Sequence, residues 1–157
     1  MSINRGKSFE IKFKNDFKKS FPKGTIDRLY DSVSGYMGVS NISDFIGYNY
    51  PNIFYLECKT HKGNTFPWSA LSQYDKLITK VGIKGVRVGV ILWMIDHDIV
   101  VYLPISTVAK MKADGKKSFN VKMLKSGEYR IIVIPSTKKR VFLDSDYTCL
   151  LDLNEGE

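Results

Sequence analysis

Three residues near the middle of the chain have the types and spacing that phosphodiester hydrolysis requires. Asp44 is followed thirteen positions later by Glu57, and Lys59 completes the tripeptide Glu57-Cys58-Lys59. In a β-strand, residues two apart project from the same face, so Glu57 and Lys59 point together while Leu56 and Cys58 point the other way. A turn signal, Asn49-Tyr50-Pro51-Asn52, separates the two acids and lets their strands run antiparallel, with Asp44 beside Glu57. Two hard carboxylates on adjacent strands can hold Mg²⁺, which keeps several waters and contacts phosphate oxygens. Such an ion stabilises charge at phosphorus and helps deprotonate a water. A neighbouring lysine ammonium can position the attacking hydroxide, neutralise the phosphate, or both. Glu-x-Lys alone is also the ordinary pattern of a solvated strand face. Asp44 strengthens the reading, because a carboxylate beside Phe45 and Ile46 needs a partner.

The elements that must position these groups follow from hydrophobic periodicity. Phe9, Phe13 and Phe17 recur every fourth residue among lysines, which predicts a helix over Asn4–Ser20, ended by Pro22 and Gly24. Strands are predicted over Thr25–Tyr30, Asp44–Gly47 and Ile53–Thr60, with a glycine-containing loop carrying Gly35 and Gly38 before Asp44. A helix over about Pro67–Lys80 comes next, followed by a strand at Val86–Met94, a tight Asp96-His97-Asp98 turn and a returning strand at Ile99–Leu103. Ser106–Met111 opens a further helix, Gly115–Ser118 reads as a loop, and Tyr129–Ile134 and Arg140–Leu143 read as two more strands. This alternation predicts an α/β fold with a mixed central sheet flanked by helices. A chain of 157 residues fits one domain, and no repeat or linker divides it.

Composition narrows the class. No stretch reaches the roughly 18 apolar residues of a membrane span, and Met1–Lys7 lacks a following apolar region, so neither a membrane nor a secretory signal is expected. Two cysteines, Cys58 and Cys149, are too few and too far apart for a disulfide framework or a zinc site, which suits a reducing cytoplasm. Lys and Arg number 24 against 16 Asp and Glu, a net charge of +8. The excess gathers in residues 1–24 and 110–125, while Val141–Glu157 holds five acids and no base. A basic field suits a polyanion, because neutralised phosphates release condensed counterions, although it also suits simple solubility.

With these residues in view, the sequence resembles the PD-(D/E)XK Holliday-junction resolvases, of the RecU and archaeal Hjc branches. Arg5-Gly6-Lys7-Ser8-Phe9-Glu10, preceded by Asn4, is similar to the Arg/Lys-Gly-x-x-x-Glu opening of their first helix. Asp44 and the Glu-x-Lys are separated as they are in those branches, and Phe66-Pro67 follows the motif lysine as in RecU. The resemblance covers about residues 4–105, leaving 106–157 as an extension of uncertain role that includes an acidic, solvated tail. It implies a restriction-endonuclease-like core and a Mg²⁺- or Mn²⁺-dependent endonuclease nicking branched DNA. Asp44 and Glu57 would be metal ligands, with the Cys58 carbonyl as a third, and Lys59 the catalytic lysine. Glu10 would reach the site from the first helix, as a ligand through water or by orienting Lys59. Arg5, Lys7, Lys62 and Gln73 would touch DNA, whereas His61 and His97 are read as bystanders. A homodimer is implied by the two symmetric nicks of a resolvase, and phage origin by the shortness of the chain. RecU's long stalk between helix and Asp44 is missing, which is closer to Hjc. Two other readings remain open: a nuclease of linear duplex, and a non-catalytic basic DNA-binding module.

Overall fold

A computed structural model of the chain describes residues 4–30 and 40–157. The predicted loop with Gly35 and Gly38 lies outside the described residues. Helix α1, Arg5–Ser20, begins where the Asn4 side chain accepts the Lys7 amide N–H at 3.2 Å, and Lys18 and Lys19 occupy its last turn. The strands are β1 (Thr25–Arg28), β2 (Phe45–Asn49), β3 (Asn52–His61), β4 (Thr65–Pro67), β5 (Val86–Met94), β6 (Ile99–Pro104), β7 (Ser118–Asn120), β8 (Ile132–Val133), β9 (Ser136–Lys138) and β10 (Leu143–Ser145). Among them come α2 (Tyr74–Leu77), α3 (Ile105–Ala113) and α4 (Met123–Ser126), and a 3-10 segment, Tyr147–Asp152, follows β10.

Six strands form the central sheet in the order β1-β2-β3-β5-β6-β8. The β3–β5 pair is parallel and the other neighbours antiparallel. β5 is buried along almost its whole length, as its continuous Val/Ile/Leu run requires of a central strand covered on both faces. Alternation sorts the core into two layers. Phe54, Leu56 and Cys58 join Phe9, Phe13 and Phe17 of α1, together with Tyr147 and Leu150 of the C-terminal segment. Val88, Val90 and Leu92 join Leu77, Ile105, Val108 and Met111 on the other face. The expected α/β architecture, a mixed sheet between helices, is the observed one. No helix among the described residues is long and apolar enough to cross a membrane, and both cysteines are free thiols.

Four expectations need correction. The predicted helix Pro67–Lys80 is broken. Pro67 is extended and ends β4, and the remainder is two 3-10 turns flanking the short α2. The cause is a distant partner. β4 pairs with β7, setting Phe66 opposite Phe119, and both rings are buried. For the same reason Ser118 belongs to a strand rather than to a loop. The two late strands shrink and shift, to Ile132–Val133 and to a small β9–β10 ribbon. Finally, the acidic end is not a solvated tail. Tyr147, Leu150 and Leu153 are buried, the Tyr147 N–H donates to Ser20 Oγ at 2.9 Å, and the Ser145 N–H donates to Asp16 at 3.0 Å. Its acids neutralise cations of the fold: Asp144 meets Lys12 at 2.7 Å and Glu157 meets Arg130 at 3.0 Å.

Candidate active site

The β2–β3 hairpin brings the two acids together. Its last ladder pair is Phe45 with Leu56, and Asp44 stands one residue before β2, so it lies level with Glu57. Asp44 is therefore at the strand's threshold rather than within it, although its carbonyl still accepts the Leu29 N–H at 2.8 Å. The Asp44 N–H donates to Glu57 Oε2 at 3.1 Å, and the Cys58 N–H donates to Asp44 Oδ2 at 2.8 Å. Each carboxylate is held by backbone next to the other. Lys59 Nζ lies 3.5 Å from Glu57 Oε1, on the same strand face.

Burial sets the electrostatics. Glu57 is 2% exposed. Desolvation and then the nearby Asp44 charge push its carboxyl up to about 8, and Lys59 only partly offsets them. Cys58 points into the α1 core, where burial raises its thiol, so it is not a poised nucleophile.

Arg28, a residue the sequence reading did not weigh, ties Glu10 to this group. Its Nε donates to Glu10 Oε2 at 2.8 Å, its Nη2 lies 3.3 Å from Asp44 Oδ1, and its Nη1 donates to the Asp44 carbonyl at 3.1 Å. The guanidinium rests 5.6 Å from the Phe45 ring centroid and 5.4 Å from that of Tyr30. Glu10 is thus linked to Asp44 through Arg28. The signal was present in β1, where alternation puts Arg28 on the same face as the buried Ile26. An arginine turned inward on a half-buried strand needs an acidic partner. Beside this chain of charges, α1 and β1 enclose a cleft of about 520 Å³ lined by Lys7, Glu10, Lys14, Arg28, Tyr30 and Phe45, among others.

The remaining expected residues lie further out. Arg5 and Lys7 are exposed in the first turn of α1, and Lys7 borders the cleft. Lys62 is exposed one residue past β3. Gln73 stands at the start of α2 instead of inside a long helix and accepts a hydrogen bond from Ser72 at 2.6 Å. His61 meets the edge of Phe66, and His97 hydrogen-bonds Asn64.

The donor set suits a hard divalent cation. Asp44 and Glu57 offer carboxylate oxygens at one point, and a carboxylate as buried as Glu57 gains from a cation. Among the described residues no group of three or more His, Cys, Asp or Glu surrounds one point. Two protein carboxylates are few, which fits Mg²⁺, an ion that keeps several waters.

No family model matches the chain, and no curated protein does either. Among solved structures, it is similar to Hjc of Archaeoglobus fulgidus, a Holliday junction resolvase from an archaeal hyperthermophile. The TM-score is 0.50 at 20% identity, covering 65% of this chain and 78% of that one. At that identity the likeness is one of fold. The restriction-endonuclease-like architecture and the Hjc resemblance expected from the sequence are both found in it.

Proposed function

We propose that this chain is a Mg²⁺- or Mn²⁺-dependent endodeoxyribonuclease that nicks branched DNA, with the four-way junction as its substrate and a homodimer as its working form. The observation that carries the reading is the convergence of Asp44, Glu57 and Lys59 at the end of one hairpin, with both carboxylates held by backbone amides. The Hjc-like fold is consistent with it, and residues 1–157 would act as a single nuclease domain.

Asp44 and Glu57, with the Cys58 carbonyl, would hold the divalent ion. When bound, that ion would polarise the scissile phosphate and make a water more acidic. The protein's own groups do the rest. Lys59 Nζ, beside Glu57, donates to the attacking water or to a non-bridging phosphate oxygen and supplies fixed positive charge there. Arg28 holds Asp44 and Glu10 in place. Arg5 and Lys7 at the α1 N-terminus, with Lys62 and Gln73, would contact the DNA backbone.

The decisive experiment incubates a synthetic four-way junction and a linear duplex of matched sequence with Mg²⁺ or Mn²⁺. Wild-type protein nicks the junction, whereas Asp44→Asn, Glu57→Gln and Lys59→Ala bind it but leave it intact. Cleavage surviving in all three variants refutes the site. Equal cleavage of the linear duplex makes this a duplex nuclease. Junction binding without cleavage under either metal makes it a non-catalytic binding module.

A further inference from the structure

We propose that the cleft between α1 and β1 binds one unpaired nucleotide of the strand being cut, its base stacked on Tyr30 and its flanking phosphates held by Lys7 and Lys14. The inference rests on the nuclease reading and names a part of the substrate that the reading leaves open.

Size is the first argument. At about 520 Å³ the cleft has the scale of a small-molecule site and is too small for paired duplex. Charge is the second. Glu10 is neutralised by Arg28, and the ammonium groups of Lys7 and Lys14 form no ion pair among the described residues. The cleft therefore presents two uncompensated cations. They stand seven residues apart on one helix, on the same face and about 10 Å apart along its axis. The flexible lysine stems let both ammonium groups converge from that separation on the more closely spaced phosphates either side of one nucleotide.

The third argument is the aromatic ring. Tyr30 is 80% exposed, yet its ring is backed by the Arg28 guanidinium at 5.4 Å. A solvent-facing aromatic steadied by a cation is a platform for a nucleobase, since every base has a π-face. Ile11, 64% exposed and between the two lysines on the helix, adds an apolar rim. Location is the fourth. The guanidinium behind Tyr30 also contacts Asp44 at 3.3 Å, so a single residue joins the cleft to the hairpin that carries the carboxylates. Only an unpaired base exposes its faces, as at a branch point or fork.

The test uses the full chain in EDTA, where no cutting occurs. It compares a forked duplex whose only unpaired base is 2-aminopurine with a fully paired duplex of the same length. Wild-type protein is expected to quench the 2-aminopurine fluorescence and to prefer the fork by about tenfold, the scale of one base–aromatic stack. Tyr30→Ala loses the quenching and the preference, and Tyr30→Phe retains both. Quenching unchanged in Tyr30→Ala overturns the inference, as does an equal loss of affinity for both DNAs. If the wild type nicks junctions with Mg²⁺ or Mn²⁺ yet neither quenches nor prefers the fork, this inference alone fails. If it neither binds nor nicks any DNA, the nuclease reading fails as well.

Discussion

Arg28 Nη2 lies 3.3 Å from Asp44 Oδ1, which puts a permanent positive charge against one of the two oxygen groups proposed to hold a divalent ion. A guanidinium never titrates away at working pH, so any second cation must share Asp44 with it. Both side chains are mostly sheltered, at 22% and 16% exposure, so solvent screens the repulsion only in part. Arg28→Met keeps the stem against Phe45 and removes the charge. Mn²⁺ binding to the protein without DNA, followed by calorimetry, is expected to tighten by about tenfold, equivalent to roughly 1.4 kcal/mol. Unchanged affinity separates Arg28 from the metal site.

Glu57 makes metal-free stability depend on pH in an unusual direction. Its carboxyl is raised from 4.5 to about 8, chiefly by burial. Between those values the folded protein retains a proton that the unfolded chain has released, so stability falls as pH rises. The carboxyl contributes a few kcal/mol at most, on the order of 5 °C or more in melting temperature for a chain of this size. In EDTA the melting temperature is expected to drop between about pH 4.5 and about pH 8 and to level off above that. Glu57→Gln, neutral throughout, flattens that drop. A wild-type profile as flat as the variant's would contradict the buried, protonated carboxyl.

The parts of this fold that were legible in the sequence are those written in local periodicity. The Phe9, Phe13, Phe17 spacing predicts α1, and the paired turn and strand signals predict the hairpin that joins Asp44 to Glu57. The illegible parts depend on partners far away in the chain. Pro67 leaves the helical pattern because Phe66 pairs with Phe119, fifty-three residues on. The acidic end looks soluble until Lys12, Arg87 and Arg130 are seen to neutralise it. Arg28 was legible in principle, through the alternation of β1, but its two acidic partners come from α1 and from the threshold of β2. No local pattern joins three such elements.

Gly89 on β5 is required by a close approach. A Cβ there would lie 2.3 Å from Tyr102 Cε2 and 2.7 Å from the Leu103 carbonyl. The Tyr102 ring is fully buried and its hydroxyl donates to the Glu157 carbonyl, so it has little room to yield. Gly89→Ala is expected to destabilise the protein by about 1–3 kcal/mol or more, through overpacking. Tyr102→Leu in the Gly89→Ala background recovers part of that loss by removing the clash. Chemical denaturation of the four proteins of this cycle checks the coupling, and purely additive effects would count against it.

Tyr147 decides whether the C-terminal segment is part of the core. Its ring meets Phe13 edge-on, with centroids 5.1 Å apart and planes at 85°, and is 1% exposed. Phe13 is the middle residue of the α1 stripe, so the same contact steadies the helix that carries Glu10, Lys7 and Lys14. Removing the ring leaves a cavity under α1 that the surrounding aromatics cannot close without moving. Tyr147→Ala is expected to cost about 3–5 kcal/mol in urea unfolding. Leu151→Ala, four residues along and 49% exposed, stays within about 0.5 kcal/mol of wild type. Equal, negligible effects from both substitutions would return the segment to the status of a solvated tail and leave α1 held by the sheet alone.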